Sequence, residues 1–185
     1  MKNLDALEKY KGIIVMEKII KNTVQINALF LFCDIVGFSS WMGKNQFEAN
    51  DLLDISYSSA FNNFGIKRKQ KYHKRVAKLL GDGFFVVFEY KNNDEKMLME
   101  KLEQLISAII IFRIEFENKL NSSTLHGKKD IKCTFGITYG PCMRLTISGL
   151  PLDNVSHKIN YASRLVSVAE SNEVVFEYDL WDYVD

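Results

Sequence analysis

Two apolar runs, Val76–Leu80 and Phe84–Tyr90, are separated only by Gly81-Asp82-Gly83. Glycines supply the positive φ values that a tight reversal demands, so this segment predicts a β-hairpin with an aspartate at its tip. An earlier run, Val24–Ile35 (VQINALFLFCDI), reads as a strand rich in apolar and aromatic residues and buried on both faces. It closes on Asp34 and is broken by Gly37, after which Ser39 and Ser40 are candidate N-caps for helical structure.

Helical periodicity predicts a second element over about Gln46–Phe64, with Phe47, Leu52, Ile55, Tyr57 and Phe61 on its apolar face. A longer helix is predicted over Asn92–Asn121. Strands near Ile131–Tyr139 and Cys142–Ser148, a helix near Ile159–Ala169 and a short strand Glu173–Tyr178 complete the pattern. Spacing of Leu4, Leu7, Ile13, Ile14, Ile19 and Ile20 adds a leading helix, so that residues 1–23 precede a domain over 24–185. The order β-α-ββ-α-β is the ferredoxin-like split βαβ arrangement, an α+β fold with an antiparallel sheet and two helices on one face.

The composition bounds what such a domain does. At 185 residues, 47% hydrophobic and 25% charged, the chain is expected to form one folding unit with a sizeable core. Lys plus Arg number 24 against 23 acids, a net charge of +1 that argues against a protein built to grip nucleic acid. Apolar stretches such as Ala108–Phe112 are too short to span a bilayer, and acids interrupt the start MKNLDALEKYKG, so a cytoplasmic protein is expected. Cys33, Cys133 and Cys142 form no CxxC pair and read as reduced thiols in or beside strands. His73, His126 and His157 lack metal-ligand spacing, and the basic run Lys67–Arg75 reads as a solvated connection before the hairpin.

Asp34 and Asp82 are the candidate chemistry-bearing residues; either one in isolation is also explained by turn chemistry alone, and it is their joint placement that favours a site. In the predicted topology the first strand lies beside the hairpin, so the two carboxylates converge. Carboxylates meeting at a sheet end repel unless a cation sits between them, and hard divalent ions suit one or two such ligands with phosphate oxygens completing the shell. The turn Ile35-Val36-Gly37-Phe38 leads into a helix start, where free backbone N–H groups favour a phosphate. That combination is equipment for phosphoryl or nucleotidyl transfer.

The segment LFLFCDIVGFSSW (Leu29–Trp41) resembles the apolar strand, metal-binding Asp and Gly-Phe turn of class III nucleotidyl cyclases, the adenylate and guanylate cyclase catalytic fold. KLLGDGFFVVF (Lys78–Phe88) resembles that family's second metal-binding turn. INYASRL (Ile159–Leu165) resembles its helix motif with an Asn and an Arg four apart, which share one helix face. The resemblance implies that Asp34, Asp82 and the Ile35 carbonyl hold two Mg²⁺ or Mn²⁺ ions, with Gly37 and Phe38 at the substrate phosphates. It implies that Asn160 orients the ribose, that Arg164 neutralises charge on the phosphates, and that a homodimer brings the two sets together.

At the family's base-reading positions stand Lys78 and Asp153, a pair that in adenylate cyclases reads a purine. The residue-level alternative is an edge-strand charge and a turn residue after Pro151. Three departures from the pattern alter the wall around the base. Asn154-Val155-Ser156-His157 replaces a Gly before the helix motif, Pro141 replaces a phosphate-binding Arg with Arg144 nearby, and the chain ends at Asp185 before a triphosphate-binding Lys. A compact cyclase of this kind also resembles the pyrimidine cyclases of bacterial Pycsar antiphage systems. UTP or CTP is therefore the expected substrate, ATP the next, and a degenerate nucleotide-binding or interaction module the reading from another class.

Overall fold

The computed structural model describes residues 23–43, 46–64, 75–90, 94–125, 131–147 and 150–184. The expected leading helix, with residues 67–74 of the basic run, His73 and His126, lies outside the described residues. Strand β1 (Thr23–Ile35) is central in a six-stranded sheet, antiparallel to β3 (Gly83–Tyr90) on one side and β4 (Cys133–Ile147) on the other. Strand β2 (Arg75–Leu80) pairs outside β3, β5 (Leu150–Val155) outside β4, and β6 (Val174–Phe176) joins β4 in parallel. Helices α1 (Phe38–Met42), α2 (Gln46–Asn63), α3 (Glu95–Ser122) and α4 (His157–Val168) and a 3₁₀ turn (Tyr178–Tyr183) complete the chain. The first βαββαβ run is the predicted ferredoxin-like core.

Side chains alternate along a strand, so β1 serves two faces. Leu29, Leu31, Cys33 and Ile35, with Phe84, Val86 and Phe88 of β3, lie against Leu52 and Ile55 of α2 and Leu102, Leu105 and Phe112 of α3. Helix α3 buries Leu98, Leu102, Leu105, Ile109, Phe112, Phe116 and Leu120, the three-and-four spacing of one helix stripe. Its start is set by Asp94, whose side chain accepts from the Met97 N–H at 3.0 Å. On the opposite face Ile26, Ala28, Phe30, Phe85 and Val87 pack with Ala162 of α4. Gly136 allows that helix to lie so close, because a Cβ there would sit 2.3 Å from the Ala162 carbonyl oxygen. Among the described residues, no helix is long and apolar enough to cross a membrane.

Three local expectations are corrected. The two strands drawn on either side of Gly140-Pro141 are one strand, β4, which runs through the proline with Pro141 opposite Asn27. In an antiparallel ladder a residue's N–H and C=O point to the same neighbour. The Pro141 carbonyl accepts from the Ser156 hydroxyl at 2.7 Å on the side where β5 has already given way to α4, so the missing N–H costs no ladder bond. Asp153, Asn154 and Val155 belong to strand β5 rather than to a turn, and Ser156 caps α4. Helix α1 starts at Phe38 with Gly37 at its N-cap (φ 69°), so Ser39 and Ser40 lie inside the helix instead of capping it.

Candidate active site

Asp34 is the last polar residue of β1, one position before the strand ends, and Asp82 sits in the turn joining β2 to β3. The register opposes Cys33 to Phe84, which carries the hairpin tip to the end of β1. Glycine at position 83 is what lets them meet. A Cβ there would fall 2.4 Å from the Cys33 carbonyl oxygen and 3.2 Å from Asp34 Oδ1. Burial first, and then the neighbouring Asp82 charge, push the Asp34 carboxyl above its ordinary range, partly offset by a hydrogen bond from the Ile35 backbone N–H. The two predicted metal residues are thus together, and they repel.

That repulsion is the test of fit for a divalent cation. Among the described residues no group of three or more His, Cys, Asp or Glu side chains is placed to hold a metal. Among the described residues the site thus offers a pair of carboxylates and no closed cage. Two hard carboxylates leaving most positions to other oxygens fit Mg²⁺ or Mn²⁺ carried with phosphates. Beside Asp34 lies a cleft of about 230 Å³ lined by Phe32, Cys33, Leu80, Gly83 and, from α4, Ser163, Val166 and Ser167.

Asn160 and Arg164 do not line that cleft. Both are exposed on the outer face of α4, next to Tyr161, which is 41% exposed. The helix itself is firmly placed. Ser156 caps it, Thr138 Oγ1 donates to the Lys158 carbonyl at 2.9 Å, and the Lys158 ammonium pairs with the buried Glu177 carboxylate. Of the phosphate-turn residues, Phe38 is buried and tilts against Trp41 with ring centroids 6.2 Å apart, so only its backbone is available to a ligand.

Lys78 and Asp153 are brought together. Lys78 Nζ lies 2.5 Å from Asp153 Oδ1, with both side chains 39% exposed. They stand on the two edges of the path β2-β3-β1-β4-β5. In a flat sheet four strand spacings would separate those edges by about 19 Å. The sheet therefore curls toward the face that carries Phe30, Phe85 and Asp34, and the ion pair spans the concavity. A second pair, Arg144 Nη2 to Glu89 Oε2 at 2.7 Å, reaches across β1 on the same side of the sheet. Arg144 is thereby engaged by the largely buried Glu89 side chain rather than standing free for a phosphate.

Sequence reasoning missed several groups at this site. Glu89 lay inside an apolar run, Ser163 inside the helix motif with Ser167 in the helix just beyond it, and Tyr57 among the apolar positions of α2. Tyr57 instead donates its hydroxyl to the Gly81 carbonyl. Asn154 is 6% exposed, and its Nδ2 has no hydrogen-bond partner among the described residues.

The curled sheet, the acidic pair at the end of β1 and the exposed Asn-Arg helix together define a class III nucleotidyl cyclase. Residues 21–181 match the family model described as the adenylate and guanylate cyclase catalytic domain, and the chain belongs to that family. The fold is similar to that of the guanylyl cyclase Cya2 (TM-score 0.68, 15% identity, 89% of this chain and 81% of that one). It is similar also to the adenylyl cyclase CyaB from P. aeruginosa (TM-score 0.62, 18% identity, covering 88% and 82%). A third likeness is to the dimeric guanylyl cyclase domain of the RhoGC fusion protein from the aquatic fungus Blastocladiella emersonii (TM-score 0.57, 14% identity, covering 87% and 85%). No curated protein matches the chain in sequence.

Proposed function

We propose that this cyclase domain converts UTP or CTP to the 3′,5′-cyclic nucleotide and pyrophosphate, in sites formed between two copies of the chain. The observation that carries the reading is the enforced proximity of Asp34 and Asp82, held together by a glycine at 83 although their charges oppose it. Asp34, Asp82 and the Ile35 carbonyl are the groups that would hold two Mg²⁺ or Mn²⁺ ions. Bound there, the metals supply Lewis acidity at the ribose 3′-hydroxyl and counter-charge at the triphosphate.

The residues of the chain do the rest. The 3′-oxygen loses its proton to water and attacks the α-phosphorus, the bond from that phosphorus to the bridging oxygen breaks, and pyrophosphate leaves. Arg164 stabilises the charge that grows on the phosphate oxygens, and Asn160 holds the ribose so that the attack is in line. Both are exposed on α4 and outside the Asp34 cleft, which supports their delivery by a second copy. The Gly37-Phe38 turn offers backbone N–H groups to the triphosphate.

Lys78 and Asp153 present a donor beside an acceptor, and the Watson–Crick edge of every base offers an acceptor beside a donor. Room, more than polarity, then selects the base. Phe30 and Phe85, the latter opposite Lys78 in register, are buried under α4 and take no part in that room, so the support for a single-ring base is the altered wall around Pro141 and residues 154–157. A second reading, cyclic AMP from ATP, is favoured by the Lys78–Asp153 contact itself, since adenylate cyclases carry that pair. A cyclic pyrimidine nucleotide would serve as a cytoplasmic second messenger of the Pycsar antiphage kind, in keeping with three buried free thiols.

The test incubates the chain with ATP, GTP, CTP and UTP separately in Mn²⁺ and identifies products by mass spectrometry. Cyclic UMP or cyclic CMP is expected, and it disappears in Asp82→Ala. ATP as sole substrate overturns the pyrimidine reading. No cyclic product from any nucleotide leaves a binding module without turnover.

A further inference from the structure

Tyr57 occupies an apolar position in the pattern of α2, yet its hydroxyl leaves the core. It donates to the carbonyl of Gly81, the residue that precedes Asp82 in the hairpin turn. The two ends of this contact differ in how well they are held. Helix α2 is seated on α3 by buried Leu52, Ile55 and Ala60 and by polar ties: Asn62 Nδ2 and Asn63 Nδ2 each reach Glu115 at 2.7 Å, and Lys119 Nζ reaches Ser58 Oγ at 2.8 Å. The turn is packed closely at Gly83, against the Cys33 carbonyl, and has far less around it at Gly81. Gly81 has φ 74° with nothing within 4 Å of where a Cβ would be, and Leu79 and Leu80 beside it are 43% and 45% exposed. Among the described residues, the Tyr57 hydroxyl makes the one side-chain hydrogen bond that reaches this turn from outside the hairpin.

We infer that Tyr57 is a positioning residue for the metal-binding turn, clamping the Gly81 carbonyl to α2 so that Asp82 stays opposite Asp34. The inference rests on the reading of those aspartates as metal ligands. A clamp of this kind pre-organises the ligand set before metal arrives. Removing it lets the turn relax away from the repelling carboxylate, and bound metal must then draw it back. The loss falls on metal affinity, while the rate at saturating metal recovers. Groups that orient metal ligands in this way commonly account for 10- to 100-fold in affinity.

The experiment titrates the full chain with Mn²⁺, without nucleotide, by electron paramagnetic resonance, and measures cyclic nucleotide formation against Mn²⁺ concentration. Tyr57→Phe keeps the ring and removes only the donor. It is expected to weaken Mn²⁺ binding about tenfold, with the turnover rate at saturating Mn²⁺ within about twofold of the parent. Asn62→Ala, which loosens α2 on α3 elsewhere, is expected to lower the melting temperature and leave Mn²⁺ affinity unchanged. Parental Mn²⁺ affinity in Tyr57→Phe overturns the inference. So does a lower rate at saturating metal with unchanged affinity, which would make Tyr57 a substrate contact. If the parent binds Mn²⁺ no better than Asp34→Ala does, the metal reading fails first and the clamp fails with it.

Discussion

The two faces of the sheet are built from alternate residues of the same strands, and they do different work. On one face Leu29, Leu31, Cys33 and Ile35 meet α2 and α3. There Phe112 touches Phe64, Phe84, Phe116 and Phe135 with ring centroids 5.3 to 5.9 Å apart. On the other face Ile26, Ala28, Phe30, Phe32 and Asp34 run from an apolar patch under α4 to the acidic turn. The ion pairs Lys78–Asp153 and Arg144–Glu89 lie on that second side. Closing one face with two helices supplies the stability that lets the other remain concave, charged and partly open. Because the strand period is two, a one-residue slip would exchange the core and the face that carries Asp34, so the aromatic core also fixes the register of that second face.

This contrast makes graded predictions. The largest effect belongs to the charged face: Asp34→Ala should lower cyclic nucleotide formation by about 1,000-fold or more. Arg164→Ala should be similarly impaired, and co-refolding the two inactive variants should restore about a quarter of parental activity, since half of the dimers then carry one intact site of two. Chromatographic quantification of the product checks this. A mixture that stays inactive would place the whole catalytic set within one chain.

Stability separates the faces next. Phe112→Ala should cost about 3–5 kcal/mol in urea unfolding, whereas half-buried Phe32→Ala should cost under about 2 kcal/mol. Equal losses would show that the concave face contributes to stability as much as the closed one.

The smallest effect is electrostatic. Burial and the Asp82 charge hold the folded Asp34 pKa above its ordinary value, so the folded state keeps that proton more tightly than the unfolded chain does. Stability from this group is therefore full at acid pH and is lost as pH rises from the ordinary carboxylate value through the raised one. Asp82→Asn removes part of the penalty. It should stabilise the metal-free protein at neutral pH by about 0.5 kcal/mol after solvent screening, and not at all near about pH 3, where Asp34 is protonated in both states. Urea unfolding at the two pH values measures the difference, and an equal gain at both would trace it to something other than charge.

How much was legible in the sequence depends on how local each signal is. The Gly81-Asp82-Gly83 turn, the strand ending at Asp34 and the stripe of α3 are written in neighbouring residues, and each forms where its pattern places it. Pro141 misled because a proline's cost depends on which neighbour its missing N–H faces, and that depends on where β5 ends. Strand β5 carries Pro151, Asp153 and Asn154, which read as turn residues until β4 pairs with them. Tyr57 was hidden because a tyrosine at an apolar helix position reads as core, whichever way its hydroxyl points.

By itself the sequence determined the split βαβ order and the acidic pair, because hydrophobic periodicity and glycine turns act over a few residues, and the resemblance of three short motifs pointed to the family. Only the tertiary structure decided that Lys78 and Asp153 meet, that Arg144 is held by Glu89, and that Asn160 and Arg164 are exposed on α4 outside the cleft beside Asp34. Those facts depend on how far a twisted sheet curls and on which side of it a helix lies. Such curvature is set by the packing of the whole core, and no short stretch of residues encodes it.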